Sequence, residues 1–117
     1  MFLPDGRRLL SSGDHTAALL WDVDSGELLQ RFRGHTERIN RMDLDPTGQR
    51  LLTTSADGTA RVFELATGAT VLELRGHEGP LYFGAFSPDG SQMATGAGFK
   101  GRGEIRIWDA SRWENKP

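Results

Sequence analysis

Apolar residues along this chain come in short runs, and each run stops at residues that favour a turn. Ile39 to Leu44 leads to Pro46-Thr47-Gly48, and Leu51 to Ser55 leads to Asp57-Gly58-Thr59. Ala60 to Leu65 leads to Thr67-Gly68, and Thr70 to Leu74 leads through Arg75 to Gly76-His77. Short β-rich runs bounded by Gly, Pro, Asp and Thr predict strands joined by tight turns, and no window sustains a helical period. The pattern predicts strands near residues 8–12, 18–22, 28–32, 39–44, 50–55, 60–65, 70–74, 81–86, 92–96 and 104–109. Pro4-Asp5-Gly6, Pro46-Thr47-Gly48 and Pro88-Asp89-Gly90 are three copies of one hairpin signal. Pro fixes φ near −65° at the second turn position, and Gly accepts the positive φ that returns the chain.

The runs repeat. Gly34 to Gly76, Pro4 to Pro46, Pro46 to Pro88 and Trp21 to Phe63 are each 42 residues apart. Laying residues 1–35 on 43–77 without a gap gives ten identities, among them Pro4, Gly6, Arg8, Leu9, Leu10, Gly34 and His35. The third copy is longer: Phe63 to Trp108 is 45 residues, and the extra three fall within Gly96-Ala97-Gly98-Phe99-Lys100-Gly101-Arg102-Gly103. These glycines, with no proline among them, predict an elongated, mobile loop. Residues 2 to 6 align with the end of the first strand in later copies, so the chain either is a fragment or begins with a degenerate repeat. The division expected is 1–33 incomplete, 34–75 complete and 76–117 incomplete.

A fixed period of this length, with Gly-His at one end and Trp-Asp or its variants near the other, resembles the WD40 repeat family over residues 2 to 109. The resemblance implies an all-β fold of antiparallel four-stranded blades, here part of a WD40-type β-propeller. It also implies a structural hydrogen-bonded set in each blade: the Gly-His histidine, a Ser or Thr on the second strand, an Asp in the next turn and the Trp of the third strand. Carried onto this chain, the second repeat offers His35, Thr53 and Asp57, with Phe63 where Trp is expected. The third offers His77, Thr95 and Trp108 with no Asp before its third strand. The first offers Ser11 and Trp21, with Asp14 or His15 at the turn. On this reading no repeat has all four members. The family's partner-touching loop positions fall on Arg38, Ala56 and Pro80, and Phe99, Lys100 and Arg102 form the tip of the long loop.

Composition narrows the function. Net charge is −2, from 14 basic and 16 acidic residues, so no broad basic field is available for nucleic acid. Without cysteine there is no disulfide or Cys-based metal site. The longest apolar run falls far short of the ~20 residues that cross a bilayer, and Met1 to Asp5 lacks the features of a signal peptide. A soluble, cytoplasmic protein is expected, without membrane contact.

Two stretches carry the residue types of chemistry without its geometry. Gly96-x-Gly98-x-x-Gly101 spells a dinucleotide fingerprint, which needs a following helix to hold the pyrophosphate. Glu104 to Trp108 alternates as a strand instead, so no nucleotide cofactor is expected. Ser11-Ser12-Gly13-Asp14-His15 has the residue types of a triad, but neighbours in a strand point to opposite faces and cannot converge. The three histidines lie at no metal-binding spacing, and the pairs Asp22/Asp24 and Asp43/Asp45 read as solvated strand ends. The expectation is a non-enzyme without cofactor or metal: a scaffold module of a larger propeller that binds a protein or peptide. The alternative is a structural fragment that completes a wheel as a homo-oligomer through its exposed terminal blades, three copies supplying seven to eight.

Overall fold

A computed structural model of the chain describes residues 1–12 and 16–110, with Phe99 described by its backbone alone. The described residues form β1 (Arg8–Ser11), β2 (Ala18–Asp22), β3 (Leu28–Phe32), β4 (Ile39–Leu44), β5 (Arg50–Ser55), β6 (Ala60–Glu64), β7 (Thr70–Leu74), β8 (Leu81–Phe86), β9 (Gln92–Phe99) and β10 (Arg102–Asp109). These pair into three antiparallel sheets, β1-β2-β3, β4-β5-β6-β7 and β10-β9-β8. The middle sheet has the four strands expected of a blade, and each outer sheet has three. Ahead of β1, Phe2 forms an isolated bridge with Leu9, and Leu10 N donates to Met1 O at 2.8 Å.

The three proline turns are built alike. Gly6 N donates to Leu3 O, Gly48 N to Asp45 O and Gly90 N to Ser87 O, at 3.0, 2.9 and 2.9 Å. The glycine closing each turn has φ of 68°, 74° and 77°. A side chain there would meet the carbonyl in the left-handed region, so Gly holds the position.

Alternation along the middle sheet stacks the three sheets side by side. Leu51 and Phe63 point to one face, where they join Leu10, Ala18, Leu20 and Phe32 of the first sheet and Ile39 of the second. Leu52, Ala60 and Val62 point to the other, where they join Leu81, Met93 and Ala97 of the third. A sheet covered on both faces needs apolar residues at consecutive positions, and Leu51-Leu52 and Val62-Phe63 are those positions. Each fully buried Leu or Val contributes about 1.5–3 kcal/mol relative to exposure. Two polar contacts fix the spacing between β4 and β8: Asn40 Nδ2 donates to Leu81 O at 2.7 Å, and Phe86 N donates to Asp43 Oδ2 at 2.8 Å.

The glycine-rich insertion corrects the sequence reading. It is a regular two-stranded hairpin where an elongated loop was expected: β9 continues to Phe99, β10 begins at Arg102, and the register runs Gly96↔Ile105, Ala97↔Glu104, Gly98↔Gly103, Phe99↔Arg102. Lys100 and Gly101 both have positive φ, 51° and 77°, which matches the twist of a two-residue hairpin turn. The missing side chains of the glycines are replaced by neighbours. A Cβ on Gly96 would stand 3.1 Å from Ile105 Cδ1 and 3.2 Å from Phe83 Cβ, and one on Gly98 would stand 3.7 Å from the Tyr82 ring. Residues packed across glycine compensate for its flexibility in a strand. Lys100 therefore sits in the turn itself and Arg102 at the start of β10. The side chain of Phe99, the third expected loop tip, lies outside the described residues.

Candidate functional site: histidine networks under the loop face

The Gly-His segments, and the turns that follow β5 and β9, lie together at one end of the sheets. In the middle sheet, His35 follows Gly34 and is buried. Its Nδ1 stands 3.0 Å from Asp57 Oδ2 and its Nε2 stands 2.7 Å from Thr53 Oγ1. A carboxylate only accepts, so Nδ1 carries the proton, and in the neutral ring Nε2 accepts from the Thr53 hydroxyl. Asp57 also accepts from Thr36 N at 3.0 Å, Thr59 N at 2.8 Å and Thr59 Oγ1 at 2.6 Å. One carboxylate thus joins the loop before β4 to the turn between β5 and β6. Phe63, lacking an N–H, adds nothing to this set; it fills the core beside it.

The third sheet closes the whole relay. Trp108 Nε1 donates to Thr95 Oγ1 at 2.8 Å, Thr95 stands 2.7 Å from His77 Nε2, and His77 Nδ1 stands 2.6 Å from Glu104 Oε1. This corrects the expectation that no repeat has four members. The acid comes from β10 rather than from the turn. Counting back the 45 residues that separate Phe63 from Trp108, Glu104 takes the place of Thr59, whose hydroxyl lies 3.3 Å from His35 Nδ1. The longer Glu side chain reaches the ring directly. In the first sheet Trp21 Nε1 donates to Ser11 Oγ at 2.8 Å, and the candidates Asp14 and His15 lie outside the described residues. Sequence reasoning missed Glu104 because it searched for Asp ahead of the strand; a carboxylate anywhere from the insertion to the strand's third residue was the signal available.

The electrostatics follow from these contacts. Burial holds His35 below its ordinary value of 6.5, against the upward pull of Asp57. Burial pushes Asp57 up, but the hydrogen bonds from Thr59, Thr36 and His35 outweigh it and bring the carboxyl from 3.8 down to about 2. The His77 hydrogen bond holds Glu104 below the usual carboxylate value. Both His35 and Asp57 have folded values below their unfolded ones. Their stabilisation is therefore complete above the unfolded values and lost as pH falls. Urea midpoints are expected to drop first as pH passes below 6.5, where the unfolded chain binds a proton that buried His35 resists. A second drop is expected between 3.8 and about 2, from Asp57. Asp57→Asn should remove its share of the lower drop, and identical pH curves for the two proteins would contradict the assignment.

Above the networks, Ala56 and Pro80 line one cleft of about 320 Å³ together with Asp57, Arg75 and His77. Arg38 is outside this lining but tied to it, since Arg38 O accepts from Ala56 N at 3.0 Å and from Ser55 Oγ at 2.9 Å. Arg38 Nε donates to Asn40 Oδ1 at 3.1 Å, and its side chain is exposed. Arg102 lines a separate hollow with Glu78 and Glu104. The structure thus brings Ala56 and Pro80 together, attaches Arg38 to them through the backbone, and sets Arg102 apart. Among the described residues no group of His, Asp and Glu is arranged to hold a metal ion.

The model of the family described as "WD domain, G-beta repeat" matches residues 26–64 and 68–109. The chain belongs to the WD40 repeat family. Its sheets are therefore blades of a WD40-type propeller. Each match starts beside the last strand of one blade and ends on the third strand of the next, so each sequence repeat spans two blades. The zebrafish (Danio rerio) protein named guanine nucleotide-binding protein subunit beta-5b is 54% identical to this chain over 43 residues, which are 37% of this chain and 11% of that protein. The chain thus matches a small part of its relative's length. No helix among the described residues is long and apolar enough to cross a membrane.

Proposed function

We propose that this chain acts as a protein-interaction scaffold whose contact surface is the loop face over the histidine networks. The observation that carries the reading is the Asp57 junction. It joins the loop before β4 to the turn after β5, so Arg38 and Ala56 are presented on a fixed frame, with Pro80 across the same cleft, and ordering them on binding costs little entropy. Rigid scaffolds with variable loops are the usual arrangement for recognition. The zebrafish relative's name makes it a subunit, hence a protein that works within an assembly, and the same mode is proposed here. The partner is a protein or peptide. A net charge of −2 favours neither nucleic acid nor an anionic membrane, and the compartment this reading assigns is the cytoplasm. No catalysis is part of it.

The test compares partners captured by the unaltered chain, by Arg38→Glu combined with Ala56→Arg, and by Gln49→Lys at the opposite end of the middle blade. The loop-face variant should lose partners that the other two retain, with urea melts unchanged. The same partners on all three would overturn the reading.

A second reading has its own observation. Ile105 and Ile107 on the outer face of the third blade are 63% and 60% exposed, and exposed apolar sheet faces favour association. Self-association through such terminal faces would join two chains of three sheets into six, within the four to eight typical of propellers. Three chains would give nine, outside that range. Light scattering across a dilution series decides it, and a concentration-independent monomer would end this reading.

A further inference from the structure

The net charge of −2 conceals an uneven distribution along the strand axis. At the turn end, opposite the histidine networks, Asp5, Asp45 and Asp89 stand at the three proline turns, and Asp22, Glu64 and Asp109 close β2, β6 and β10. Among the described residues, the cations at that end are Arg7, Arg8 and Arg50. The loop end is the reverse. Arg33 and Arg75 each stand directly before a Gly-His pair, Arg38 follows the first of these pairs, and Lys100 and Arg102 occupy the hairpin tip. The acids of the loop end are largely engaged. Asp57 is bound to His35 and Glu104 to His77, and Glu73 is shared by Arg61 and Arg75. Glu78 lines the hollow that holds Arg102, and Glu37 stands beside Arg38.

The cleft of about 320 Å³ between the second and third blades concentrates this difference. Asp57 and Arg75 both line it. Asp57 is 9% exposed, and its oxygens accept from His35, Thr36 and Thr59, so it presents little charge to the opening. Arg75 is 74% exposed, and the one carboxylate it meets is also held by Arg61, which leaves the trio net positive. Main chain forms part of both walls. A Cβ on Gly58 would stand 3.3 Å from Gly79 O, and the two glycines have φ of 88° and 80°. No side chain grows from either position to fill the cleft.

We propose that this cleft takes an acidic segment of a partner protein, with an Asp or Glu carboxylate on Arg75 and a further acid toward Arg38 at the rim. The proposal rests on the loop-face reading and adds the partner's chemistry to it. A guanidinium fork matches a carboxylate in shape and charge. Complementary charge steers encounter and fixes register more than it adds affinity. The acidic turn end repels the same segment, so the two ends of the blades orient it before contact. A phosphate chain is the poorer fit, because Glu37 and Glu73 lie beside the same arginines.

The probes are three fluorescein-labelled peptides of equal length that alternate Ser with Glu, Gln or Lys, titrated into the full chain. Fluorescence polarisation should show saturable binding of the Glu peptide alone, weakening as salt is raised. Arg75→Glu should weaken it about tenfold, as expected when an exposed pair turns from attraction to repulsion. Arg7→Glu makes the same charge change at the turn end, where Arg7 is exposed, and should leave binding unchanged. Equal binding of the Glu and Gln peptides, binding of neither, or equal losses from Arg75→Glu and Arg7→Glu would overturn the proposal. So would tighter binding of a labelled single-stranded DNA than of the Glu peptide. The peptide comparison uses the unaltered chain, so misfolding of a variant cannot hide the answer. Partners lost from Arg38→Glu combined with Ala56→Arg but kept by Arg75→Glu would uphold the loop face and end the acidic proposal.

Discussion

Phe63→Ala should cost about 3–5 kcal/mol, the largest loss of any single substitution considered. The ring is fully buried. It meets Phe32 of the neighbouring blade edge-on, with centroids 5.5 Å apart and planes at 61°. It packs in the cluster that includes Leu10, Leu20, Ile39 and Leu51, at the seam between the first two blades. Truncation removes the transfer energy of the ring and leaves a cavity that two packed sheets cannot readily close. Trp108→Ala should fall at the lower end, about 3 kcal/mol, although Trp is larger. Trp108 is only partly buried, and Thr95 keeps its contact with His77 when the indole N–H is lost. The comparison matters because Phe63 departs from the family's Trp. The departure gives up one hydrogen bond to Thr53 and keeps a complete apolar seam. Urea unfolding of the two variants measures the difference. A domain is stable by about 5–15 kcal/mol, so Phe63→Ala should remove a large share of that stability. A Phe63→Ala loss smaller than that of Trp108→Ala would mean that the seam between the first two blades is not as tight as its burial indicates.

Most of the fold was legible because its signals are local. The three Pro-x-Gly turns and the alternating runs between them set eight of the strands close to their observed bounds, since both depend on a few neighbouring residues. The insertion was misread for a reason that is not local. Gly96 and Gly98 lower strand propensity by themselves, and what orders them is the packing of Phe83, Tyr82 and Ile105, which arrive from other strands. Glu104 was missed on similar grounds. Its role depends on the hairpin register, which places it beside His77 although the two are 27 residues apart. The contacts of Asn40 and Asp43 to the third blade cross between sheets, and nothing in the sequence period marks them. The Gly-His and Thr positions, by contrast, recur at fixed spacing, and the structure sets His35 with Thr53 and His77 with Thr95 at the same 2.7 Å.

The two acids of the histidine networks should differ in what their loss costs. Asp57→Ala is expected to destabilise the chain by about 2–3 kcal/mol, because it strips a charged acceptor from several donors at once. His35 Nδ1, Thr36 N, Thr59 N and Thr59 Oγ1 all rely on it, and its side chain is only 9% exposed, so water does not replace it freely. Asp57→Asn keeps one acceptor oxygen and should lose less. Glu104→Ala should give a clearly smaller midpoint shift. Its carboxylate is 44% exposed, and solvent can take its place at the edge of the His77 ring. The reason lies in where each acid is anchored. Asp57 sits in a turn whose own backbone it ties down, so removing it frees that turn and the loop before β4 together. Glu104 sits on a paired strand that keeps its Ala97 partner whatever side chain it carries. Hydrogen exchange should separate them further. Asp57→Ala should expose the amides of Thr36 and Thr59, while Glu104→Ala should leave the β9–β10 ladder protected. Equal midpoint losses, with equal exchange in both loops, would show that the two acids hold their histidines in the same way despite their different origins.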